Sequence, residues 1–165
     1  MADRGIRWVY LLTIPVLVTI DQVTKRLADG VFGGSRNLVP GLLRVETLRH
    51  RGGFFGLIEM SDPGWGWLLV ALTGLALGLL VIFAAGTPAT RPGRHLGFAC
   101  MIGGALGNLA CRLIYGYVLD FLAIGPLPLF NLADVWILAG MILIGADAVQ
   151  PRRGAREGHH ASRSV

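Results

Sequence analysis

The longest uncharged stretch of the chain, residues 63–90, limits what the chain can fold into. Within it, Trp67 to Ala85 is almost wholly apolar, and a helix needs about 20 apolar residues to cross the core of a bilayer. Trp65 and Trp67 stand at its start, where aromatic rings favour the membrane interface. This stretch predicts a transmembrane helix. The composition agrees, because only 15% of the residues are charged, against about 25% in a soluble domain.

Three further apolar segments predict helices of similar length: Arg7 to Asp29, His95 to Tyr117, and Leu132 to Val149. Each carries polar residues near one end, so each is either a span with a polar end or a shorter buried helix. The first is not interpreted as a cleaved signal peptide, because Asp21-Gln22 follows its apolar run in place of small residues. The sequence therefore predicts an all-α membrane protein of four transmembrane helices.

Basic residues predict the orientation, because Lys and Arg concentrate in cytoplasmic segments. They occur before the first span, between the second and third spans (Arg91 and Arg94), and in the tail 151–165. We therefore expect both termini in the cytoplasm, one domain over residues 1–150, and a basic cytoplasmic tail. The tail accounts for the net charge of +5 and indicates contact with membrane lipids rather than nucleic acid.

The segments on the other side contain a candidate β-region. Leu43, Val45 and Thr47 alternate with polar residues, and Gly52-Gly53 suits a hairpin tip. We expect a small extracytoplasmic β-region over about 38–60. The segment from Gly116 to Asn131, which has no Lys or Arg, is expected to be a short outer loop.

Polar residues of three spans and the outer loop converge near the outer interface in this topology. Such residues within a membrane usually mark a function. Structural alternatives remain: an i, i+4 ion pair, hydrogen bonds between helices, snorkelling, and a helix cap at Asp134. The converging residues are Asp21, Lys25, Asn108, Arg112, Asp120, Asn131 and Asp134.

Two carboxylates at one edge of a membrane point to aspartyl peptide hydrolysis. Such acids share one proton, so one can take a proton from water while the other polarises a carbonyl. The sequence has no HExxH or CxxC spacing, and we expect neither a metal nor a cofactor.

Several motifs resemble those of lipoprotein signal peptidase, the bacterial signal peptidase II. They are Asp21-Gln-Val-Thr-Lys25, Gly52-Gly-Phe-Phe-Gly56, Gly103-Gly-Ala-Leu-Gly-Asn-Leu-Ala-Cys-Arg112, Tyr115-Gly-Tyr-Val-Leu-Asp-Phe121 and Phe130-Asn-Leu-Ala-Asp134. The resemblance runs from about Asp21 to Asp147, and the last motifs in this order are the most specific.

The resemblance implies an aspartyl endopeptidase of the bacterial inner membrane, with its active site on the outer side. Its catalytic pair would be Asp120 and Asp134, with Asp21 and Lys25 as structural support. The substrate would be a prolipoprotein cut just before its diacylglyceryl-modified cysteine. A cyclic peptide antibiotic such as globomycin is an expected ligand, and we expect a monomer. Residues expected to bind substrate or support the pair are Asn108, Arg112, Asn131, His50 and Gly52.

Three positions depart from the family pattern. His50 stands where the family usually has an asparagine that contacts substrate and inhibitor, so substrate fit and antibiotic sensitivity are open. Cys111 replaces an acid and leaves Arg112 without that local partner, and Trp136 is bulky for its position. These changes also suit a divergent second copy.

Two alternatives remain at this point. One is a catalytically weak relative that binds lipopeptide or antibiotic without turnover. The other is a small four-span transporter, which would need acids near the middle of the membrane with access from both sides.

Overall fold

The computed structural model describes residues 2–31, 35–50 and 63–149. Gly52 and the tail 151–165 lie outside these residues. Within the described ranges the elements follow in the order α1 (Ala2–Val31), β1 (Arg36–Val39), β2 (Leu43–His50), α2 (Pro63–Ala85), α3 (Pro92–Tyr115), β3 (Val118–Ile124) and α4 (Leu132–Val149). A helix forms over each predicted apolar segment.

By length and composition, three helical segments of the described residues can cross a membrane. They are Trp65–Ala85, Pro92–Tyr115 and Leu132–Val149. Helix α1, the predicted first span, is not among them. It is long enough at 30 residues, but Asp21, Gln22 and Lys25 lower its hydropathy near one end.

Helix α3 forms the centre of the bundle and packs against α1, α2 and α4. Glycines allow α3 and α4 to approach each other closely. A Cβ at Gly97 would lie 2.9 Å from the carbonyl oxygen of Gly140, and a Cβ at Gly104 would collide with the carbonyl oxygen of Ala133. The start of α4 is therefore held against the middle of α3, which is where the polar residues lie.

The three strands form an antiparallel sheet in the order β1-β2-β3. The hairpin between β1 and β2 turns at Pro40-Gly41, where Gly41 has a φ of 75°, a conformation that glycine adopts readily. This turn comes before the predicted strand, and the predicted tip at Gly52-Gly53 lies outside the described residues. We call the end of the bundle that carries this sheet the sheet end.

The prediction of a plain loop from Gly116 to Asn131 is wrong, because the segment contains β3. Gly116 ends α3 in the left-handed conformation, with its N–H donating to the carbonyl oxygen of Arg112, as in a common helix C-cap. The chain then enters β3 beside β2. Phe130 returns to β3 through backbone hydrogen bonds with Leu122. Asp120 thus lies on a paired strand, and Asn131 follows directly after the return.

Candidate active site

Asp21 and Lys25 form a buried ion pair on α1. Lys25 Nζ donates to Asp21 Oδ2 at 2.8 Å, and the side chains are 4% and 0% exposed. The i, i+4 spacing puts both on one face of the helix. The i, i+4 ion pair named as a structural alternative is therefore present. Lys25 and Asp21 also hydrogen-bond to residues of α3 and α4.

The other oxygen of Asp21 reaches the beginning of α4. Asp21 Oδ1 accepts a hydrogen bond of 2.9 Å from the backbone N–H of Ala133, one of the N–H groups at a helix start that have no partner within the helix. A carboxylate is favourable there, because the N-terminus of a helix carries partial positive charge. Asp21 thus joins α1 to the start of α4.

Gln22 was not among the predicted site residues, although the Asp21-Gln-Val-Thr-Lys25 motif contains it. Its Nε2 lies 3.0 Å from both Asp21 Oδ2 and the carbonyl oxygen of Gly107, and 3.4 Å from the sulfur of Cys111. Cys111 of α3 therefore contacts Gln22 of α1. The position of Gln22 in the motif was the signal that could have identified it.

Asn108 of α3 connects the ion pair to Asp134. Its Oδ1 accepts hydrogen bonds from Lys25 Nζ at 2.8 Å and from Asn131 Nδ2 at 3.2 Å. Its Nδ2 donates to Asp134 Oδ1 at 2.9 Å. The Asn108 oxygen faces two donors and its nitrogen faces an acceptor, and this arrangement fixes the orientation of the amide.

Asp120 on β3 is 1% exposed and has a partner on each carboxylate oxygen. Asn131 Nδ2 donates to Oδ1 at 2.6 Å, and the imidazole Nε2 of His50 lies 2.8 Å from Oδ2. A buried carboxylate needs such partners, because burial without them is costly. His50 thus contacts a predicted catalytic residue directly.

Asp134 and Asn131 form a reciprocal cap at the start of α4. The backbone N–H of Asp134 donates to Asn131 Oδ1 at 3.1 Å, and the backbone N–H of Asn131 donates to Asp134 Oδ2 at 3.2 Å. This is the geometry of a capping box. The helix cap that was a structural alternative for Asp134 is therefore observed, together with its bond to Asn108.

Asn131 joins the two carboxylates directly. Its side chain reaches Asp120, while its backbone N–H and side-chain oxygen both hold Asp134. Asn131 is fully buried. The structure thus brings two aspartates from different elements to one amide, with the Asp21–Lys25 pair behind them.

Arg112 lies one helical turn beyond Asn108 and lines the same groove. Its Nε is buried and has no hydrogen-bond partner among the described residues. The groove, of ≈ 450 Å³, runs between α2 and α3, with Leu72, Leu80 and Ile137 on its apolar walls. Among the predicted site residues, Arg112 thus has a buried donor atom, Nε, for which the described residues supply no acceptor.

A second cavity lies beside Asp134. Its volume is ≈ 290 Å³, and its lining is almost wholly apolar, with Leu127, Phe130, Leu138 and Met141 around the one carboxylate. Asp134 therefore lies at the edge of an apolar cavity, and Ile137 on the next turn of α4 lines both spaces. A ligand with long apolar groups and a polar centre fits such surroundings.

The opposite end of the bundle has its own polar contacts. Asp147 Oδ2 lies 2.9 Å from Arg91 Nη1 and 2.9 Å from Arg94 Nε. Cys100 and Cys111 are buried free thiols. Within the described ranges no group of three or more His, Cys, Asp or Glu side chains could hold a metal ion.

A sequence model described as "Signal peptidase (SPase) II" matches residues 13–150. The chain belongs to the signal peptidase II family. The lipoprotein signal peptidase of Syntrophomonas wolfei is 38% identical over 131 residues, covering 78% of this chain and 85% of that protein. That of Escherichia coli is 31% identical over 164 residues, covering 95% and 98%.

The fold also matches a solved structure. A bacterial membrane enzyme determined by the in meso method matches with a TM-score of 0.76 at 26% identity, covering 87% of this chain and 92% of that one. Membership of the signal peptidase II family supports a peptidase that processes lipoproteins, and the apolar helices fit a membrane protein. The resemblance noted in the sequence is thereby confirmed.

Proposed function

We propose that the protein is an aspartyl endopeptidase that removes the signal peptide from diacylglyceryl-modified bacterial prolipoproteins, cutting just before the lipidated cysteine. The observation that carries this proposal is the linkage of Asp120 and Asp134 through Asn131. Two linked carboxylates share a proton most favourably, because both cannot be charged at low cost in one buried site.

The reaction needs no covalent intermediate. The ionised carboxylate takes a proton from water, whose oxygen attacks the carbonyl carbon before the lipidated cysteine. The protonated carboxyl group hydrogen-bonds to the carbonyl oxygen and stabilises the charge that develops there. When the C–N bond breaks, the leaving nitrogen receives a proton from the carboxyl group that accepted it from water.

The surroundings of the pair support a lipid-bearing substrate. The cavity at Asp134 and the groove at Asn108 and Arg112 both have mainly apolar walls. We propose that they receive the acyl chains and the apolar part of the signal peptide, with the Nε of Arg112 free to bind a carbonyl group of the substrate.

We further propose that α1 is a fourth span of a single domain over residues 1–150, with both termini and the basic tail in the cytoplasm. Exposed apolar side chains form one stripe along α1: Trp8, Leu12, Val16, Ile20, Val23 and Leu27. This spacing of three or four residues matches one helical face and supports contact with lipid, while Asp21 and Lys25 point into the bundle. In this topology Asp120 and Asp134 would lie at the outer side of the inner membrane.

A gel-shift cleavage assay tests this function. Purified protein in detergent is mixed with a diacylglyceryl-modified prolipoprotein, and the unmodified precursor serves as the control substrate. We expect cleavage of the lipidated form by the unaltered chain, and none by Asp120→Asn or Asp134→Asn. Asp147→Asn is the matched control, because it makes the same change at the other end of the bundle. Full activity in either dyad variant would overturn the assignment.

One observation favours a second candidate, a catalytically weak relative that binds lipopeptide or antibiotic. His50 contacts Asp120 Oδ2, and the family's usual residue there is different. This candidate predicts that folded protein binds globomycin while leaving every lipidated precursor uncut. Binding of globomycin measured in the same detergent sample separates the two candidates.

A further inference from the structure

His50 and Asp120 meet because of the register between β2 and β3. Leu48 is opposite Asp120, and His50 is opposite Val118. His50 is therefore the diagonal neighbour of Asp120 on the same face of the sheet, a distance that a long side chain can bridge. The side chains are 8% and 1% exposed, and Nε2 lies 2.8 Å from Oδ2.

We propose that His50 is a positioning residue that assigns different roles to the two aspartates: it keeps Asp120 ionised as the base and leaves the shared proton on Asp134. This inference rests on the proposed aspartyl peptidase function. It concerns which carboxylate does what in this chain, where a histidine occupies a position that is usually asparagine in the family.

The partners of the two carboxylates differ in one respect. Asp134 accepts hydrogen bonds from neutral groups, the side-chain amide of Asn108 and the backbone N–H of Asn131. Asp120 accepts from the neutral amide of Asn131 and also faces an imidazole. An imidazole can carry a positive charge and an amide cannot, so the negative charge of the pair is best placed on Asp120.

Other charged groups near the pair do not replace this contribution of His50. Lys25 is bonded to Asp21 and Asn108. Arg49, the neighbour of His50, pairs with Asp29, and the Asp29 carboxylate raises the pKa of this guanidinium. Arg112 interacts electrostatically with both aspartates, and Lys25 also does so with Asp134. Arg44 and Glu46, also on β2, pair with each other. At the sheet end, the charged groups on the described elements around His50 are Asp21, Lys25, Arg26, Asp29, Arg44, Glu46, Arg49, Arg112, Asp120 and Asp134.

The assignment gives a balanced reaction. Asp120 takes a proton from water as the water oxygen bonds to the carbonyl carbon, and Asp134 gives its proton to the carbonyl oxygen. As the C–N bond breaks, the proton on Asp120 moves to the leaving nitrogen, and the proton on the carbonyl oxygen returns to Asp134. Both aspartates and His50 end in their starting states.

The test is the pH profile of kcat and kcat/KM for the full chain in detergent, with a lipidated precursor as substrate. The variants are His50→Ala, which removes the contact, His50→Gln, which keeps a neutral donor, and His50→Asn, which restores the family's usual residue. His95→Asn is the matched control, because His95 is also buried but bonds Tyr10 and the carbonyl oxygen of Pro88 near the opposite end of α3. Thermal unfolding identifies the variants that fold.

We expect His50→Ala to lower kcat about tenfold to a hundredfold with little change in KM, because one charge-assisted hydrogen bond is lost. Carboxylates take up protons at a pH where an imidazole is charged. Each variant removes from Asp120 Oδ2 a hydrogen-bond partner that can carry a positive charge, and a nearby positive charge favours the ionised form of a carboxyl group. The acid limb of kcat/KM should therefore move to higher pH by about one unit in all three variants. His50→Gln should retain more kcat than His50→Ala, and His95→Asn should leave the profile in place.

An equal loss of activity at every pH, with the acid limb unmoved, would overturn the proposal and leave His50 a structural contact. A movement of the limb to lower pH would also overturn it. Failure of the underlying function looks different: the unaltered chain would not cleave the lipidated precursor, or Asp120→Asn and Asp134→Asn would remain active.

Discussion

Gly107 of α3 lies directly against the carboxylate of Asp21 on α1. A Cβ at this position would lie 2.6 Å from Asp21 Oδ2 and 3.2 Å from its carboxyl carbon. The same carboxylate also holds Lys25 and the backbone N–H of Ala133. The absence of a side chain at one position of α3 therefore allows α1 to reach the start of α4.

Gly107→Ala should lower both stability and activity. The added methyl group must displace the Asp21 carboxylate, and overpacking of this kind costs about 1–3 kcal/mol. Gly78→Ala in α2 is the matched control, since a Cβ there has nothing within 4 Å. Thermal unfolding in detergent and the cleavage assay measure both effects. Equal melting temperatures for the two variants would contradict the close approach.

Asp21→Ala should mainly cost stability. It leaves the buried charge of Lys25 without its ionic partner, and removing one member of a buried pair costs about 3–5 kcal/mol. The control is Glu46→Ala, which breaks a pair with Arg44 whose side chains are 40% and 49% exposed, where about 0–1 kcal/mol is expected. Chemical unfolding of both variants gives the comparison. An Asp21→Ala protein of normal stability that cleaves nothing would instead indicate a direct part in the reaction.

Asp134 should show separable structural and chemical contributions. Asp134→Asn keeps an oxygen that can accept from the backbone N–H of Asn131, so it should fold normally and lose cleavage. Asp134→Ala also loses the cap, which costs about 0.5–2 kcal/mol. The difference between their melting temperatures measures how much the cap stabilises the protein. The loss of cleavage in both variants measures the contribution of the carboxylate to the reaction. If both melt alike, the capping box does not stabilise α4.

The helices could be predicted from sequence because each depends on a local pattern. The run from Leu132 to Val149 is apolar apart from Asp134 and Asp147 near its ends, and its structural bounds are the predicted ones. Strand β3 was missed because its partner is far away in the chain: His50 and Asp120 are separated by 70 residues. The residue pattern from Val118 to Ile124 does not indicate that β2 will pair with this segment.

The polar residues of the site also differ in how far the local sequence predicts their position. Their convergence followed from helix direction and from the spacing of Asn108, Asp120 and Asp134. The contact of His50 with Asp120 depends on the register between β2 and β3, and a slip of one residue in β2 would turn His50 to the other face of the sheet. Only its place in the Asp21-Gln-Val-Thr-Lys25 motif indicates Gln22, because its partners, the backbone of Gly107 and the sulfur of Cys111, lie 85 and 89 residues away in the chain.

Asp147 should matter for stability and leave cleavage unchanged. Both Arg91 and Arg94 contact Asp147 Oδ2, and Arg91 also donates to the backbone oxygen of Asp147. Asp147→Asn removes the charge that two neighbouring guanidinium groups share, at a partly exposed site, so a loss of about 1 kcal/mol is expected. The melting temperature of the unaltered chain should fall toward that of the variant as salt is added, because salt screens exposed charges. The position lies at the end of α4 away from Asp134, so kcat/KM for the lipidated precursor should stay the same. A folded Asp147→Asn protein without cleavage would show that this ion cluster is coupled to the aspartate pair.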